Sequence, residues 1–301
     1  MKELGPIRTA LFVPGNRPDR VDKAVSSGAD VVIVDLEDAV PPSQKEESRP
    51  KVREKIAAFR ESEILVRVNA IGSEFLPGDL DEVVVDGLRC IMVPKVEEPA
   101  DIREIDGYLG EAERKNHLEP GTISVIPLIE SARAVQNVFE ILSEKTDPSR
   151  VFTAAFGAAD YTLDMGIEMT REGTELHYPR SRIAVACRAA GVEPPLDTPF
   201  MIDLKDLDAL KTDAERARQL GFQGKLCIHP IQIEPCHAVF SPSAEEIEHA
   251  ERVIQAFEDA EARGIGAIQL DGKFIDAPIV ERSRRIVKLA AAIGSRRGVH
   301  S

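Results

Sequence analysis

The chain has 301 residues, of which 43% are hydrophobic and 30% are charged, a composition that excludes a disordered or fibrous protein. Its 38 lysines and arginines against 52 aspartates and glutamates give a net charge of −14, which disfavours binding to nucleic acid or to an anionic membrane surface. No apolar run approaches the roughly 20 residues of a membrane span, and the N-terminus lacks the apolar stretch of a signal peptide. Four cysteines are too few for a disulfide framework, so we expect a cytoplasmic protein with reduced thiols.

Eight short runs rich in β-branched residues indicate strands, and most are continuously apolar, as in parallel strands buried on both faces. In chain order they are Ala10–Val13, Val31–Asp35, Leu65–Asn69, Ile91–Pro94, Ser124–Ile129, Phe152–Phe156, Pro199–Ile202 and Leu226–His229. Amphipathic segments between them predict helices at Arg17–Ser27, Lys45–Phe59, Ile102–Asn116, Ala132–Lys145, Tyr178–Ala190 and Asp206–Leu220. Eight such units favour an α/β protein with a (β/α)8 TIM barrel over a doubly wound open sheet, which usually has fewer strands.

A different pattern follows the barrel, which we expect to occupy residues 1–240. Residues 243–246 read Ser-Ala-Glu-Glu, a capping box that predicts the start of a long helix. Residues 267–276 alternate around an Asp-Gly turn and predict a hairpin, and residues 282–293 predict a closing helix. Residues 241–301 are thus predicted to form a helix–hairpin–helix extension, which we expect to make an oligomer contact.

Polar side chains follow the predicted strands at their carboxyl ends, where barrel enzymes carry their catalytic groups. They are Asp35, Glu37, Asp38, Arg67, Asn69, Lys95, Glu130, Asp160 and His229. Glu130 and Asp160 follow the fifth and sixth strands, so we expect them on neighbouring strands, about 5 Å apart at the backbone. Two carboxylates supplemented by water suit Mg²⁺ or Mn²⁺, and Glu37 and Asp38 could bind metal-bound waters.

Positive charge accompanies these acids. Arg67 and Lys95 could bind a substrate carboxylate or a developing enolate. If the acids only paired with these two cations, a surplus of acid would remain. Arg17, Arg20 and Lys23 cluster at the start of a predicted helix and could hold a phosphorylated ligand, although a solvated helix end is an equally good interpretation.

Zinc is the alternative metal. Its softer ligands would come from residues around the last predicted strand, namely Cys227, His229, Cys236 and His237. Their spacing matches no common zinc site, which favours a hard cation bound by oxygen.

Eight short motifs occur in order between about Arg8 and Ile293. They are F-V-P-G-N-R-P-D-R, V-D-L-E-D-A-V-P-P-S-Q-K, R-V-N, V-P-K-V, P-L-I-E-S, F-G-A-A-D, G-K-L-C-I-H-P-I-Q and D-G-K-F-I-D-A-P. Together they resemble the citrate lyase β-subunit/malyl-CoA lyase family, within the wider HpcH/HpaI aldolase-like superfamily.

The resemblance implies an enzyme, a Mg²⁺-dependent carbon–carbon lyase. Its substrate would be a 3-hydroxyacyl-CoA thioester of the malyl-CoA or citramalyl-CoA type, cleaved to acetyl-CoA and a 2-oxo acid by a retro-Claisen-type reaction. By the family pattern, Glu130 and Asp160 bind the metal, Arg67 holds the substrate, and Glu37 and Asp38 support the metal waters.

The resemblance also implies that Asp276 is a catalytic acid or base supplied by a neighbouring subunit, usually of a homotrimer. Regions around Arg17, Lys23 and His229 resemble segments that contact coenzyme A, and Lys95 is a further candidate for substrate binding. Two other activities stay open. The chain could be the β subunit of a citrate lyase complex acting on a citryl thioester of an acyl-carrier protein, or a hydroxyacyl-CoA thioester hydrolase.

Overall fold

The computed structural model describes residues 4–60 and 63–297. Eight strands are arranged around a barrel: β1 (Thr9–Pro14), β2 (Val31–Asp35), β3 (Ile64–Arg67), β4 (Cys90–Val93), β5 (Ser124–Ile129), β6 (Ala155–Phe156), β7 (Leu196–Asp197) and β8 (Gly224–Cys227). All neighbours are parallel, and β1 pairs with both β2 and β8, which closes the sheet. The predicted (β/α)8 TIM barrel is therefore confirmed, and a doubly wound open sheet is excluded.

Nine α-helices accompany the barrel strands in the described part of the chain. They are α1 (Pro18–Val25), α2 (Lys45–Ala58), α3 (Leu76–Val83), α4 (Pro99–Lys115), α5 (Ala132–Leu142), α6 (Ala158–Met165), α7 (His177–Ala190), α8 (Leu207–Leu220) and α9 (Ile233–Phe240). Helix α5 shows how the sequence specifies them. Ser131 caps its first turn by accepting the N–H of Ala134, and the buried Val135, Val138 and Leu142 recur on one face.

The seventh strand is the clearest error of the sequence prediction. It lies at Leu196–Asp197, before the predicted Pro199–Ile202. Pro199 has no N–H to give to a ladder, and a two-residue strand is too short to produce a hydrophobic run. The helices α3, α6 and α9 were not predicted; each has only eight residues, and both α3 and α9 contain a proline.

A cluster of four buried charges joins β7 and β8 to helices α7 and α8. Arg180 donates to Asp197 at 2.8 and 3.0 Å and to Asp213 at 3.1 Å. The Lys225 ammonium donates to Asp213 at 2.6 Å and also to Asp197. Burial opposes the charged form of Lys225, yet the two aspartates outweigh it and raise the lysine's pKa. Two cations and two anions therefore balance inside the fold.

Replacing Lys225 by Met should lower the free energy of unfolding by about 3–5 kcal/mol, because the change leaves two carboxylates sharing one buried cation. The control is Lys51→Met, which breaks an exposed ion pair with Glu47 and should cost less than about 1 kcal/mol. Urea unfolding of both variants measures the difference. Equal losses would show that the buried cluster contributes no more than a surface pair.

Residues beyond the barrel form a second compact unit. It contains α10 (Ala244–Glu261), β9 (Ile268–Leu270), β10 (Lys273–Ile275) and α11 (Ala277–Arg297), in the predicted helix–hairpin–helix order. Ser243 forms the predicted capping box, and the hairpin turns at Asp271 and Gly272, where φ is 51° and 75°. Two positive φ angles in succession suit the right-handed twist of a hairpin and explain the Asp-Gly pair.

The core of this second unit is formed by Val253 and Phe257 of α10, Ile275 of β10 and Val280 of α11. Among the helices of both units in the described ranges, none is long and apolar enough to cross a membrane.

Candidate active site

Asp35 and Arg67 form the base of the candidate site at the carboxyl ends of β2 and β3. The strand register places them side by side. Arg67 donates through Nε and Nη2 to the two Asp35 oxygens at 2.7 and 2.6 Å. Burial disfavours the charged form of Arg67, but the hydrogen bonds and charge of Asp35 outweigh burial and raise the arginine's pKa. Arg67 was predicted as a substrate group, and the structure shows two of its three nitrogens already bound.

Asp35 also fixes the loop that follows β2. Its carboxylate accepts the backbone N–H groups of Glu37 at 2.9 Å and Ala39 at 3.0 Å. Each Asp35 oxygen therefore accepts one backbone N–H and one Arg67 N–H, and the residue is only 1% exposed. Asp35 is therefore a scaffold for Glu37 and Arg67, and it has no free oxygen for a ligand.

Glu37 lies at the rim of the barrel, formed by the residues that follow the carboxyl ends of the strands. One of its carboxylate oxygens has no hydrogen-bond partner. Its Oε1 accepts from Lys95 Nζ at 2.8 Å. Its Oε2 is buried and lies 3.0 Å from Arg67 Nη1 as an ion pair, without a hydrogen bond. Burial raises the pKa of Glu37 despite these two cations. Asp38 approaches Arg67 only to 4.0 Å and is largely exposed.

Lys45, which was not predicted as a site residue, supports this loop from beneath. Its ammonium donates to the carbonyls of Leu36 at 2.8 Å and Glu37 at 2.7 Å, and to Asn69 Oδ1 at 2.6 Å. Asn69 in turn donates to Asp79 at 2.6 Å, so its side chain serves this network. A lysine in the first helical turn interacts unfavourably with the helix dipole. This unusual placement was the feature of the sequence that could have indicated a special role for Lys45.

Glu130 follows β5 and is held by the backbone of Lys95. The Lys95 N–H donates to Glu130 Oε1 at 2.7 Å. This geometry requires a φ of 56° at Lys95, a left-handed conformation that non-glycine residues rarely adopt. The strained backbone lets one residue bind two acids, because its N–H contacts Glu130 while its side chain contacts Glu37.

The carboxyl group of Glu130 lies in a negative environment. Burial is the largest cause that raises its pKa to about 8, and the charges of Asp160 and Glu37 add to the effect, against the N–H of Lys95. Asp160 lies in the first turn of α6, and no described residue donates a hydrogen bond to its carboxylate. Asp160 is thus near enough to Glu130 for their charges to interact, and it lies on a helix that the sequence did not reveal. The role of the two acids as metal ligands stays a prediction.

Gly157 makes room for Glu130. A Cβ atom at this position would lie 2.7 Å from both Cβ and Oε2 of Glu130. A Cβ atom essentially never lies this close to another heavy atom, so any other residue would displace the carboxylate.

Gly157→Ala should therefore weaken divalent cation binding by at least about 10-fold, since a misplaced ligand typically costs 10–100-fold. Gly110→Ala, in the middle of α4 with open space around it, is the matched control and should leave cation affinity unchanged. Calorimetric titration with Mg²⁺ measures both. Equal affinities in the two variants would contradict the role of Gly157.

The rim has the chemistry of a site for a hard divalent cation. Glu130 Oε2 and the Asp160 carboxylate accept no hydrogen bond from the described residues, the buried Glu37 Oε2 accepts none either, and the acids outnumber the cations. No group of three or more His, Cys, Asp or Glu residues that could hold a metal occurs within the described ranges. Two carboxylates completed by water therefore fit the site, which matches the coordination habits of Mg²⁺ and Mn²⁺.

Without a divalent cation, the raised pKa of Glu130 should make stability depend on pH. Between the ordinary value of 4.5 and about 8, the folded protein keeps a proton that the unfolded chain releases. This contribution to the free energy of unfolding is complete below pH 4.5 and is lost as the pH rises through about 8. Urea unfolding in a chelator at several pH values, compared with Glu130→Gln, measures it. Identical pH slopes for the two proteins would contradict the shift.

The remaining predicted residues lie apart from this hydrogen-bonded group. Arg17 pairs with Asp19 at 3.1 Å on the surface. Lys23 is exposed in the last turn of α1. His229 is exposed and accepts the N–H of Ile231 at 3.2 Å. No hydrogen bond joins any of the three to the rim residues.

Asp276 belongs to the second unit and is half-buried. Its Oδ1 accepts the N–H of Ile279 at 3.3 Å and so caps the start of α11. Its role as an acid or base stays a prediction.

Comparison with known proteins identifies the family. The family model described as HpcH/HpaI aldolase/citrate lyase matches residues 8–230. The chain belongs to the HpcH/HpaI aldolase/citrate lyase family. The predicted resemblance and the prediction of a carbon–carbon lyase are confirmed at this level.

Individual relatives of this family are similar along nearly the whole chain. The citrate lyase subunit beta of Leuconostoc mesenteroides subsp. cremoris is 38% identical over 287 residues, 95% of this chain and 93% of that protein. An L-malyl-CoA/beta-methylmalyl-CoA lyase of Cereibacter sphaeroides is 33% identical over 313 residues, 96% of each chain. The crystal structure of CitE from Mycobacterium tuberculosis, in complex with magnesium, acetoacetate and coenzyme A, has a TM-score of 0.77 at 29% identity and covers 96% of this chain and 100% of its own.

Proposed function

We propose that the chain is a Mg²⁺-dependent lyase for a 3-hydroxyacyl-CoA thioester of the malyl-CoA or citramalyl-CoA type. The products would be acetyl-CoA and a 2-oxo acid. The observation that carries the proposal is a pair of acids, Glu130 and Asp160, at a rim with surplus negative charge, where Glu130 Oε2 and the Asp160 carboxylate accept no hydrogen bond from the described residues. The magnesium and coenzyme A in the related CitE structure, and the name of the malyl-CoA lyase relative, support the same chemistry.

Glu130 and Asp160 would hold the cation. When bound there, Mg²⁺ or Mn²⁺ would lower the pKa of the substrate hydroxyl and polarise the oxo group that forms on cleavage. Arg67 is fixed by Asp35 through Nε and Nη2, so a substrate oxygen would bind at Nη1, which lies 3.0 Å from Glu37 Oε2 without a hydrogen bond. A charged group that is already oriented needs no reorganisation when negative charge develops.

Cleavage breaks the bond between the hydroxyl-bearing carbon and the α-carbon of the thioester. The hydroxyl would give its proton to a water at the rim, the hydroxyl carbon would become an oxo carbon, and the electron pair of the broken bond would move to the thioester as an enolate. Asp276 of a neighbouring subunit would supply the proton that converts the enolate to acetyl-CoA. Glu37 and Asp38 would orient water at the rim, with Glu37 itself held by Lys95.

The thioester end of the substrate would lie near Arg17, Lys23 and His229, whose two permanent cations suit the phosphates of coenzyme A. Lys95 would contact the acid portion. We expect a homotrimer or larger homo-oligomer, because the acid would come from a second chain. The four cysteines are buried, unpaired thiols, which supports a cytoplasmic location.

A second candidate is the β subunit of a citrate lyase complex, acting on a citryl thioester of an acyl-carrier protein. The 38% identity to a citrate lyase subunit beta supports it as directly as the 33% identity to the malyl-CoA lyase supports the first. The two candidates share the bond cleaved and differ in the carrier of the thioester.

Incubation with malyl-CoA, citramalyl-CoA, citryl-CoA and a citryl thioester of acyl-carrier protein, each in the presence of Mg²⁺ and followed by mass spectrometry, tests the proposal. Glyoxylate or pyruvate together with acetyl-CoA is expected. Cleavage only of a citryl thioester on acyl-carrier protein, giving oxaloacetate, would support the second candidate. Release of free CoA without an oxo acid would identify a hydrolase and contradict both.

A further inference from the structure

Helix α6 carries Asp160 in its first turn, and that turn has no cap of its own. The residue before the helix is Gly157, which has no side chain to accept the first N–H groups. The glycine is required by the close approach of Glu130. The glycine that leaves space for the Glu130 carboxylate therefore cannot cap α6, the helix that carries Asp160.

The missing support comes from the neighbouring strand. Thr198 directly follows β7, is 2% exposed, and accepts the N–H of Ala158 through Oγ1 at 3.1 Å. The preceding residue, Asp197, is fixed by the buried charges of Arg180 and Lys225. Thr198 thus caps α6 from a rigid position outside the helix.

Two anchors define where the first turn of α6 lies. The N–H of Gly157 donates to the carbonyl of Ile129 at 2.9 Å, which ties the turn to the strand that precedes Glu130. The bond from Ala158 to Thr198 ties it to β7. Because no described residue hydrogen-bonds the Asp160 carboxylate, only the backbone of this turn sets its position.

We propose that Thr198 is a positioning residue for the cation site, acting through the Ala158 N–H to hold Asp160 opposite Glu130. The inference rests on the proposed function, because it assumes that these two carboxylates bind the cation. Thr198 acts through its hydroxyl oxygen, which accepts the Ala158 N–H, and its methyl group only fills space. The residue touches neither the cation nor the substrate.

The test compares four variants of the full chain, including Asp160→Asn, by calorimetric titration with Mn²⁺. Thr198→Val keeps the shape and removes the acceptor, and Thr198→Ser keeps the acceptor. Thr153→Val is the matched control, because Thr153 is equally buried and its hydroxyl donates to the carbonyls of Glu193 and Pro194 at 2.8 Å. Thermal unfolding of each variant reports the loss of stability separately.

Thr198→Val should weaken Mn²⁺ binding about 10-fold or more, the usual range for a residue that orients a metal ligand. Thr198→Ser should stay within about twofold of wild type, and Thr153→Val should lose stability without losing affinity. Unchanged affinity in Thr198→Val, or an equal loss in the serine variant or in Thr153→Val, would overturn the proposal. If wild type binds no Mn²⁺, or if Asp160→Asn binds it unchanged, the cation site itself is wrong, and the role of Thr198 is overturned with it.

Discussion

Replacing Glu130 by Gln is expected to weaken Mg²⁺ binding by about 100-fold and to reduce turnover at least as much. The amide keeps the size of the side chain, and its oxygen can still accept the Lys95 N–H, so the fold around it is preserved. What is lost is the negative charge that a hard cation requires. Loss of a residue that only orients a metal ligand typically lowers metal affinity about 10–100-fold, and loss of the ligand itself should lower it at least as much.

Calorimetric titration of metal-free protein with Mg²⁺ measures the change. The control is Glu98→Gln, which removes a carboxylate from an exposed ion pair with Arg133 at the start of α4 and should leave affinity and turnover unchanged. Wild-type affinity in Glu130→Gln would mean that the cation binds elsewhere.

Replacing Asp276 by Asn is expected to lower turnover by 10²–10⁴-fold, roughly the contribution of a general acid or base, while Mg²⁺ affinity stays unchanged. Asparagine is the sharper choice because it can still cap α11 by accepting the Ile279 N–H, whereas Ala also removes the cap. Asp276→Ala should therefore show the same loss of turnover and an additional loss of stability. Loss of metal binding in either variant would contradict the assigned role.

Mixing inactive subunits tests whether Asp276 acts on the site of another chain. Asp276→Asn and Arg67→Ala each damage one half of a shared site, so a mixed oligomer should contain some sites with both halves intact. Partial recovery of activity is expected after the two variants are unfolded and refolded together. An inactive oligomer that is shown to contain both variants would contradict the shared arrangement.

The barrel and most of its rim could be predicted because parallel strands bury both faces. Runs such as Val31–Asp35 are therefore continuous and end in visible polar residues. Such a pattern places Glu37, Arg67, Lys95 and Glu130 at one end of the sheet, and the structure brings these four together. The seventh strand was misplaced because a two-residue strand produces no run of its own.

The sequence could not show which oxygens and nitrogens are already bound. Arg67 was predicted to hold the substrate, but the sequence did not show that Asp35 binds two of its nitrogens from the neighbouring strand, through contacts that depend on strand register. Lys45 contacts residues eight, nine and 24 positions away in sequence. Gly157 leaves space for Glu130, and Thr198 caps the turn that carries Asp160. Both contacts depend on how three different strands pack, which residue spacing does not reveal.

Anomalous diffraction from crystals grown with Mn²⁺ would locate the cation. We expect one strong peak per chain between the carboxylates of Glu130 and Asp160, with water completing the coordination. A peak bound by other residues, or a rim in which Lys95 lies between the two acids with no ion present, would contradict it.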